Sequence, residues 1–175
     1  YWGDTVTSTL VIWADDGNGT LTPADTVLWE EVITCAYDPN DKVVTPEGSG
    51  PCGAIPFDTE WLTYTVRFQN TGNDTAFTVV VKDSLSPYLD MGTFEQGAAS
   101  DPFIVTFRPG RVVEWRFRHI LLPDSGTNEV ESHGLVSFRI KPVQPLLPGT
   151  VLSNTANIYF DFNPPVITEP SVLVA

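Results

Sequence analysis

Apolar residues recur at every second position through most of this chain, and no window sustains the three- and four-residue apolar spacing of an amphipathic helix. The alternation is cleanest in residues 61–69, where Leu62, Tyr64, Val66 and Phe68 share one face and Thr63, Thr65, Arg67 and Gln69 the other. That is the pattern of a strand in an antiparallel sheet wetted on one side. Ala76 to Lys82 repeats it, with Phe77, Val79 and Val81 in phase after the turn residues 70–74, so the two runs read as a hairpin or a sheet-to-sheet crossing. Phe103, Val105 and Phe107 alternate before Pro109-Gly110, and Val113, Trp115 and Phe117 after it, with Glu114, Arg116 and Arg118 facing away. This is the strongest hairpin signal in the chain. Val136, Phe138 and Ile140 mark a strand ended by Pro142, and Ala156, Ile158 and Phe160 one ended by Pro164-Pro165. Thr5 to Trp13 and Thr26 to Ala36 are two further strand-like runs.

About eight or nine short strands with turn chemistry between them predict an all-β chain, built as an antiparallel sandwich of immunoglobulin-like type. Either Trp61 or Trp115 is expected as its central aromatic, although the Cys, Trp, Cys spacing of antibody domains is missing. A length of 175 residues suits one such sandwich, or one plus part of a neighbour. Residues 1–36 are expected to be an N-terminal strand pair, either the end of a preceding repeat or an added hairpin, and residues 37–175 the sandwich. The net charge of -13 argues against nucleic acid and anionic membrane surfaces as partners, and no apolar run reaches the length of a membrane helix. Cys35 and Cys52 are expected to form a disulfide closing a short loop, a stabilisation of about 3 kcal/mol in an oxidising compartment.

The run from Leu62 to Leu85, with Asn70-Thr71-Gly72 at its centre, resembles the conserved-repeat domain of bacterial surface proteins, as does Ser153-Asn154-Thr155-Ala156-Asn157-Ile158 near the end. Tyr37-Asp38-Pro39-Asn40-Asp41-Lys42 and Tyr159-Phe160-Asp161-Phe162-Asn163-Pro164-Pro165-Val166 are similar to the version carried by type IX-secreted surface proteins of Bacteroidota. The resemblance implies an extracellular, immunoglobulin-like, non-enzymatic module that acts as a structural or adhesive spacer. Its partners would be neighbouring domains of the same polypeptide, glycans or other surface proteins. Two alternatives accompany it. One is a carbohydrate-binding module stacking sugars on exposed aromatics drawn from Trp2, Trp13, Trp29, Trp61, Trp115 and Tyr88. The other is a filament subunit that donates Thr5 to Trp13 to a neighbour's sheet edge.

Catalytic chemistry has little to stand on. The two histidines, His119 and His133, fall in polar surroundings without a nucleophile elbow or a nearby cysteine. Candidate Ca2+ ligands are Asp38, Asn40 and Asp41 in one loop with Asp161 and Asn163 in another, hard oxygen donors brought together if the first and last strands are neighbours. Asx residues beside proline also cap turns, and that plainer role takes precedence. Asp4-Thr5, Asp25-Thr26, Asp74-Thr75 and Asp83-Ser84, each followed by an apolar residue, resemble an O-glycosylation signal of Bacteroidota, which makes Thr5, Thr26, Thr75 and Ser84 candidate acceptors. A Lys-to-Asn or Lys-to-Asp amide crosslink, a known device of bacterial surface sandwiches, would need a buried lysine near a carboxylic acid. Lys82 with Asn154 or Asn157 is the candidate, yet Lys82 shares its face with Thr78 and Val80 and is expected to be exposed. Calcium at the two Asx loops predicts a thermal midpoint that rises with Ca2+ and falls with a chelator under non-reducing conditions; an unchanged midpoint removes the ion from the account.

Overall fold

The computed structural model describes residues 5–15 and 21–32 in backbone outline and residues 39–175 in full. Two compact units divide at Asp38 and Pro39. In the first, β1 (Thr5–Asp15) pairs antiparallel with β2 (Leu21–Val32), from Thr5 opposite Val32 to Asp15 opposite Leu21. The register slips by one residue beside Pro23, which has no N–H to give to the ladder. β1 is thus not a detached strand, the sign that donation to a neighbour would require. Cys35, Asp38, Trp2 and residues 16–20 lie outside the described residues.

The second unit is a sandwich of two antiparallel sheets. Its strands are β3 (Asp41–Thr45), β4 (Leu62–Gln69), β5 (Ala76–Ser84), β6 (Leu89–Ala99), β7 (Ile104–Arg108), β8 (Val112–Leu122), β9 (His133–Pro142), β10 (Val151–Phe160), β11 (Val166–Ile167) and β12 (Ser171–Val174). One sheet has the order β3-β4-β9-β6; the other runs β11-β10-β5-β8-β7, with β12 also on β10. β11 and β12 continue a single edge along β10, since Ile167 faces Asn157, Thr168 bonds Ala156 in both directions, and Ser171 faces Asn154 one residue out of step, past Pro170. Lettered in chain order, the first sheet is the A-B-E-D sheet of an immunoglobulin-like domain. The second is G-F-C, extended past C by the β7–β8 hairpin inserted between D and E. The fold class expected from the alternation is the one observed.

Period-two burial explains the core. Leu62, Tyr64, Val66 and Phe68 on β4 and Val136, Phe138 and Ile140 on β9 face Val79 and Val81 on β5, Val113, Trp115 and Phe117 on β8, and Ile158 on β10, all without solvent exposure. Trp115 is the central aromatic. Its ring stacks on Phe138 across the sandwich at 5.4 Å, and its indole N–H donates to Gln96 at 2.7 Å. Trp61 instead lies half-buried beneath Arg139 and Lys141, 4.5 and 4.6 Å from its ring. The segment 70–74 is a sheet-to-sheet crossing. The Asn70 side chain holds it, donating to the carbonyls of Asp74 and Leu122 and accepting from Gly72 N–H.

Three expectations about facing need correction, the first being Phe107, which alternates with Val105 but is 52% exposed on the edge strand β7. A bulge between Ala76 and Thr78 shifts the phase, so Ala76 is buried and Phe77 points out, 56% exposed. Glu114 does not face away into solvent: it is buried, and its environment is described below.

Close approach requires glycine at position 134. A Cβ at Gly134 would stand 2.2 Å from the Phe68 ring. Gly134→Ala is expected to destabilise the sandwich by about 1–3 kcal/mol, the usual cost of overpacking a filled core. Urea unfolding checks this, and a loss under about 0.5 kcal/mol would show that the Phe68 ring has room to move.

Candidate functional site

Each expected site residue has a definite place, and most are engaged by the fold itself. Asn40 is buried, and its side-chain oxygen accepts from Gln69 N–H at 3.1 Å. Asp41, opening β3, forms a bidentate ion pair with Arg67, its cross-strand partner on β4. Asp161 follows β10 with φ 51°, and its carboxylate accepts from the N–H of Thr78 at 2.7 Å and of Phe77 at 3.1 Å, bracing the bulge. Asn163 is exposed. Among the described residues no group of three or more His, Cys, Asp or Glu side chains is placed to hold a metal. Cys52 is exposed in the tight loop bridged by Ser49 and Ala54, while its expected partner Cys35 is outside the described residues. Thr75 is half-buried at the start of β5 and Ser84 is exposed at its end; Thr5 and Thr26 sit within the β1–β2 ladder. His119 is exposed, and His133 contacts Glu129 at 2.9 Å on the surface.

Lys82 is half-exposed, as the alternation implies, with its ammonium 4.9 Å from the Tyr159 ring centroid and 3.9 Å from Glu114. Glu114 also meets Arg108 at 3.1 Å and Arg116 at 3.0 Å. Burial pushes its carboxyl up, but hydrogen bonds from the two arginines outweigh that and hold it below the usual glutamate range.

The sandwich interior holds a polar cluster instead. Lys42 on β3, Asp83 on β5 and Asn154 on β10 point inward from three strands. The side chains of Lys42 and Asp83 have no solvent exposure, and the Lys42 amine donates to the Asp83 carboxylate. The Asn154 amide is satisfied at both ends in one orientation: its oxygen accepts from Lys42 Nζ at 2.9 Å, and its nitrogen donates to the Ser84 carbonyl at 2.7 Å and to Asp83 Oδ1 at 3.2 Å. Tyr64 and Phe138 cover the lysine, their ring centroids 4.8 and 5.8 Å from Nζ. Burial pushes the Lys42 ammonium down, with Asp83 opposing; burial pushes the Asp83 carboxyl up, with Lys42 opposing. Sequence reasoning missed Lys42 and Asp83, though a signal exists. Lys42 is in phase with Val44, Asp83 with Val79 and Val81, and Asn154 with Leu152, Ala156 and Ile158, all buried.

On the outside of the β10 sheet, Phe77, Thr78, Val80, Arg116, Asp161 and Phe162 line an open cleft of about 470 Å³, with Phe162 fully exposed.

Fold and interior together define an immunoglobulin-like β-sandwich with a sealed polar centre. The chain belongs to the family described as a domain of unknown function, DUF7619, whose model matches residues 38–172. No curated protein matches the sequence. Among solved structures, a variant of the major pilin subunit of Bacillus cereus is similar at 14% identity and a TM-score of 0.53, covering 99% of this chain and 65% of the pilin. The collagen-binding domain of a Staphylococcus aureus adhesin matches at 9% identity and a TM-score of 0.48, covering 81% of this chain and all of that one. The collagen-binding subdomain of the Enterococcus faecalis surface protein ACE matches at 8% and 0.49, with the same coverage. This chain spans less than two thirds of the pilin's length, and at such identities the likeness is one of fold.

The Glu114 cluster has a pH signature. A carboxyl held below its unfolded value contributes stability that is present above the ordinary glutamate pKa of 4.5 and is lost as pH falls through the folded value. Glu114→Gln is therefore expected to lower stability at pH 7 and to flatten the acid-side loss below about pH 4.5. Urea midpoints measured from pH 7 down to pH 3 check this; parallel profiles for the two proteins would assign the acid sensitivity elsewhere.

Proposed function

We propose that this chain is an extracellular, non-catalytic structural module of a secreted surface protein, a spacer or stalk domain that holds or displays its neighbours. The observation that carries the reading is the use of its polar side chains. Asp41, Asp161, Glu114, Asn70 and Asn154 all join one strand or turn to another, and no described cleft gathers a nucleophile, a base and an anion-stabilising group. The fold shared with a pilin subunit supports the same reading, as does the motif resemblance to type IX-secreted proteins of Bacteroidota. An antibody against the folded domain is expected to label intact, unpermeabilised cells of the source organism. Labelling that appears only after lysis would contradict the extracellular placement.

An adhesive role beside the spacer one is favoured by the cleft between Phe77 and Phe162, two exposed rings flanked by Arg116 and Asp161. Aromatic faces with a charged rim suit sugar rings or a peptide strand. A glycan array probed with the domain is expected to give hits that Phe162→Ala reduces about tenfold or more, a loss of about 1.4 kcal/mol or more of binding. Hits that survive the substitution would place any adhesion elsewhere on the surface.

A further inference from the structure

The Lys42, Asp83 and Asn154 cluster is more than the fold requires. Apolar side chains of similar volume would hold two sheets together at least as well, because an ion pair taken out of water seldom repays its desolvation. Here an amine, a carboxyl and a carboxamide come from three strands of two different sheets and meet in one sealed space. We propose that Lys42 and Asn154 join through their side chains in an intramolecular amide bond, with Asp83 as the catalytic proton carrier, so that β3 is covalently fixed to β10 across the sandwich.

The arrangement supplies each part of that reaction. The amine rests against the amide carbonyl, with Nζ 2.9 Å from its oxygen. Attack needs an uncharged amine, and burial favours that form at Lys42 while favouring the protonated acid at Asp83. The two together amount to one proton passed from lysine to aspartate. A single carboxyl then touches both nitrogens that exchange a proton: one oxygen receives the Lys42 hydrogen bond, and the other lies 3.2 Å from the Asn154 amide nitrogen. Nζ attacks Cγ of Asn154, and the carboxyl stabilises the charge that develops at the amide. The Nζ proton passes through Asp83 to Nδ2, the Cγ–Nδ2 bond breaks, and ammonia leaves. One C–N bond forms, one breaks, nothing is oxidised or reduced, and Asp83 ends in the protonation state in which it began. Tyr64 and Phe138 exclude water from the reacting groups, which prevents solvation from restoring the ions. The reaction happens once per molecule and needs no partner beyond the folded chain. Lys82, the lysine that strand placement favours, lacks this setting, being half-exposed and paired with Glu114.

The inference is independent of the domain's role at the cell surface, and the test reads it directly. The intact mass of the folded, purified chain, taken under reducing and denaturing conditions, is expected to be lower than the sequence mass by one ammonia, about 17 Da. Proteolysis is expected to yield one branched fragment joining the peptides that carry Lys42 and Asn154. The full sequence mass in protein shown to be folded by circular dichroism overturns the proposal, whatever any variant does. Lys42→Met and Asn154→Ala are each expected to restore the full mass, and an ammonia loss that survives either one overturns the assignment. Asp83→Asn keeps the shape of the site and both reacting groups, and is expected to leave at least a tenfold smaller crosslinked fraction. Complete crosslinking in that variant would overturn the role of Asp83.

Discussion

Placing a lysine and a carboxyl between two β-sheets is the constraint on which the rest of this sandwich depends. Each ion alone would cost several kcal/mol to remove from water, so neither strand can bury its polar residue until the other has arrived. β3 is the edge of one sheet, and β5 and β10 are adjacent in the other; Lys42 reaches Asp83 and Asn154 only when all three strands hold the observed registers. A slip of one residue in any of them would turn its polar group to the surface and an outward residue into the core. The cluster thus couples the pairing of β3 to that of β10, strands far apart in sequence, and gives the sandwich a specified alignment that aliphatic packing alone leaves looser.

The aromatic layer completes what the cluster begins. Tyr64 and Phe138 stack at 5.2 Å, Phe138 stacks on Trp115, and Phe94 packs on Phe138 at 5.2 Å, so rings from both sheets form one wall beside the lysine. Outside this wall the polar residues act locally. Asp161 and the register shift at Ala76 fit one another, since the N–H groups of both Phe77 and Thr78 donate to the carboxylate that follows β10. The same bulge turns Phe77 outward and so opens the cleft proposed as an adhesive surface. A packing irregularity and an open cleft have one origin in the backbone.

Strand positions were legible because their signal is local. Leu62 to Phe68, Val113 to Phe117 and Val136 to Ile140 alternate without interruption, and the apolar residues of each are buried as the alternation predicts. The crossing at Asn70 and the hairpin at Pro109-Gly110 were announced by turn residues. Phe77 misled because a bulge shifts phase without a residue type that marks it. Glu114 misled because a charged residue on an outward phase reads as solvated, although three cations converge on it from β5, β7 and β8. The cluster itself was hidden by residue type. Lys42 stands beside Asn40 and Asp41 in a stretch that reads as a polar turn, and Asp83 follows the run Ala76 to Lys82 in a triplet that reads as a glycosylation signal. Both lie on the inward phase, but only tertiary structure shows that the two phases meet. The crosslink proposed here shares Asn154 with the pairing considered from the sequence, but takes its lysine from the edge strand β3 instead of from β5.

A high-resolution crystal structure of the second unit within the intact chain tests the central claim most directly, because it shows Lys42 Nζ and Asn154 Cγ themselves. The account predicts continuous density between them at amide bonding distance, about 1.33 Å, with Asp83 alongside and no water in the cavity. Two separate side chains, with the lysine ammonium turned toward solvent or hydrated beside Asp83, would contradict both the bond and the view that this sealed cluster sets the alignment of the sheets.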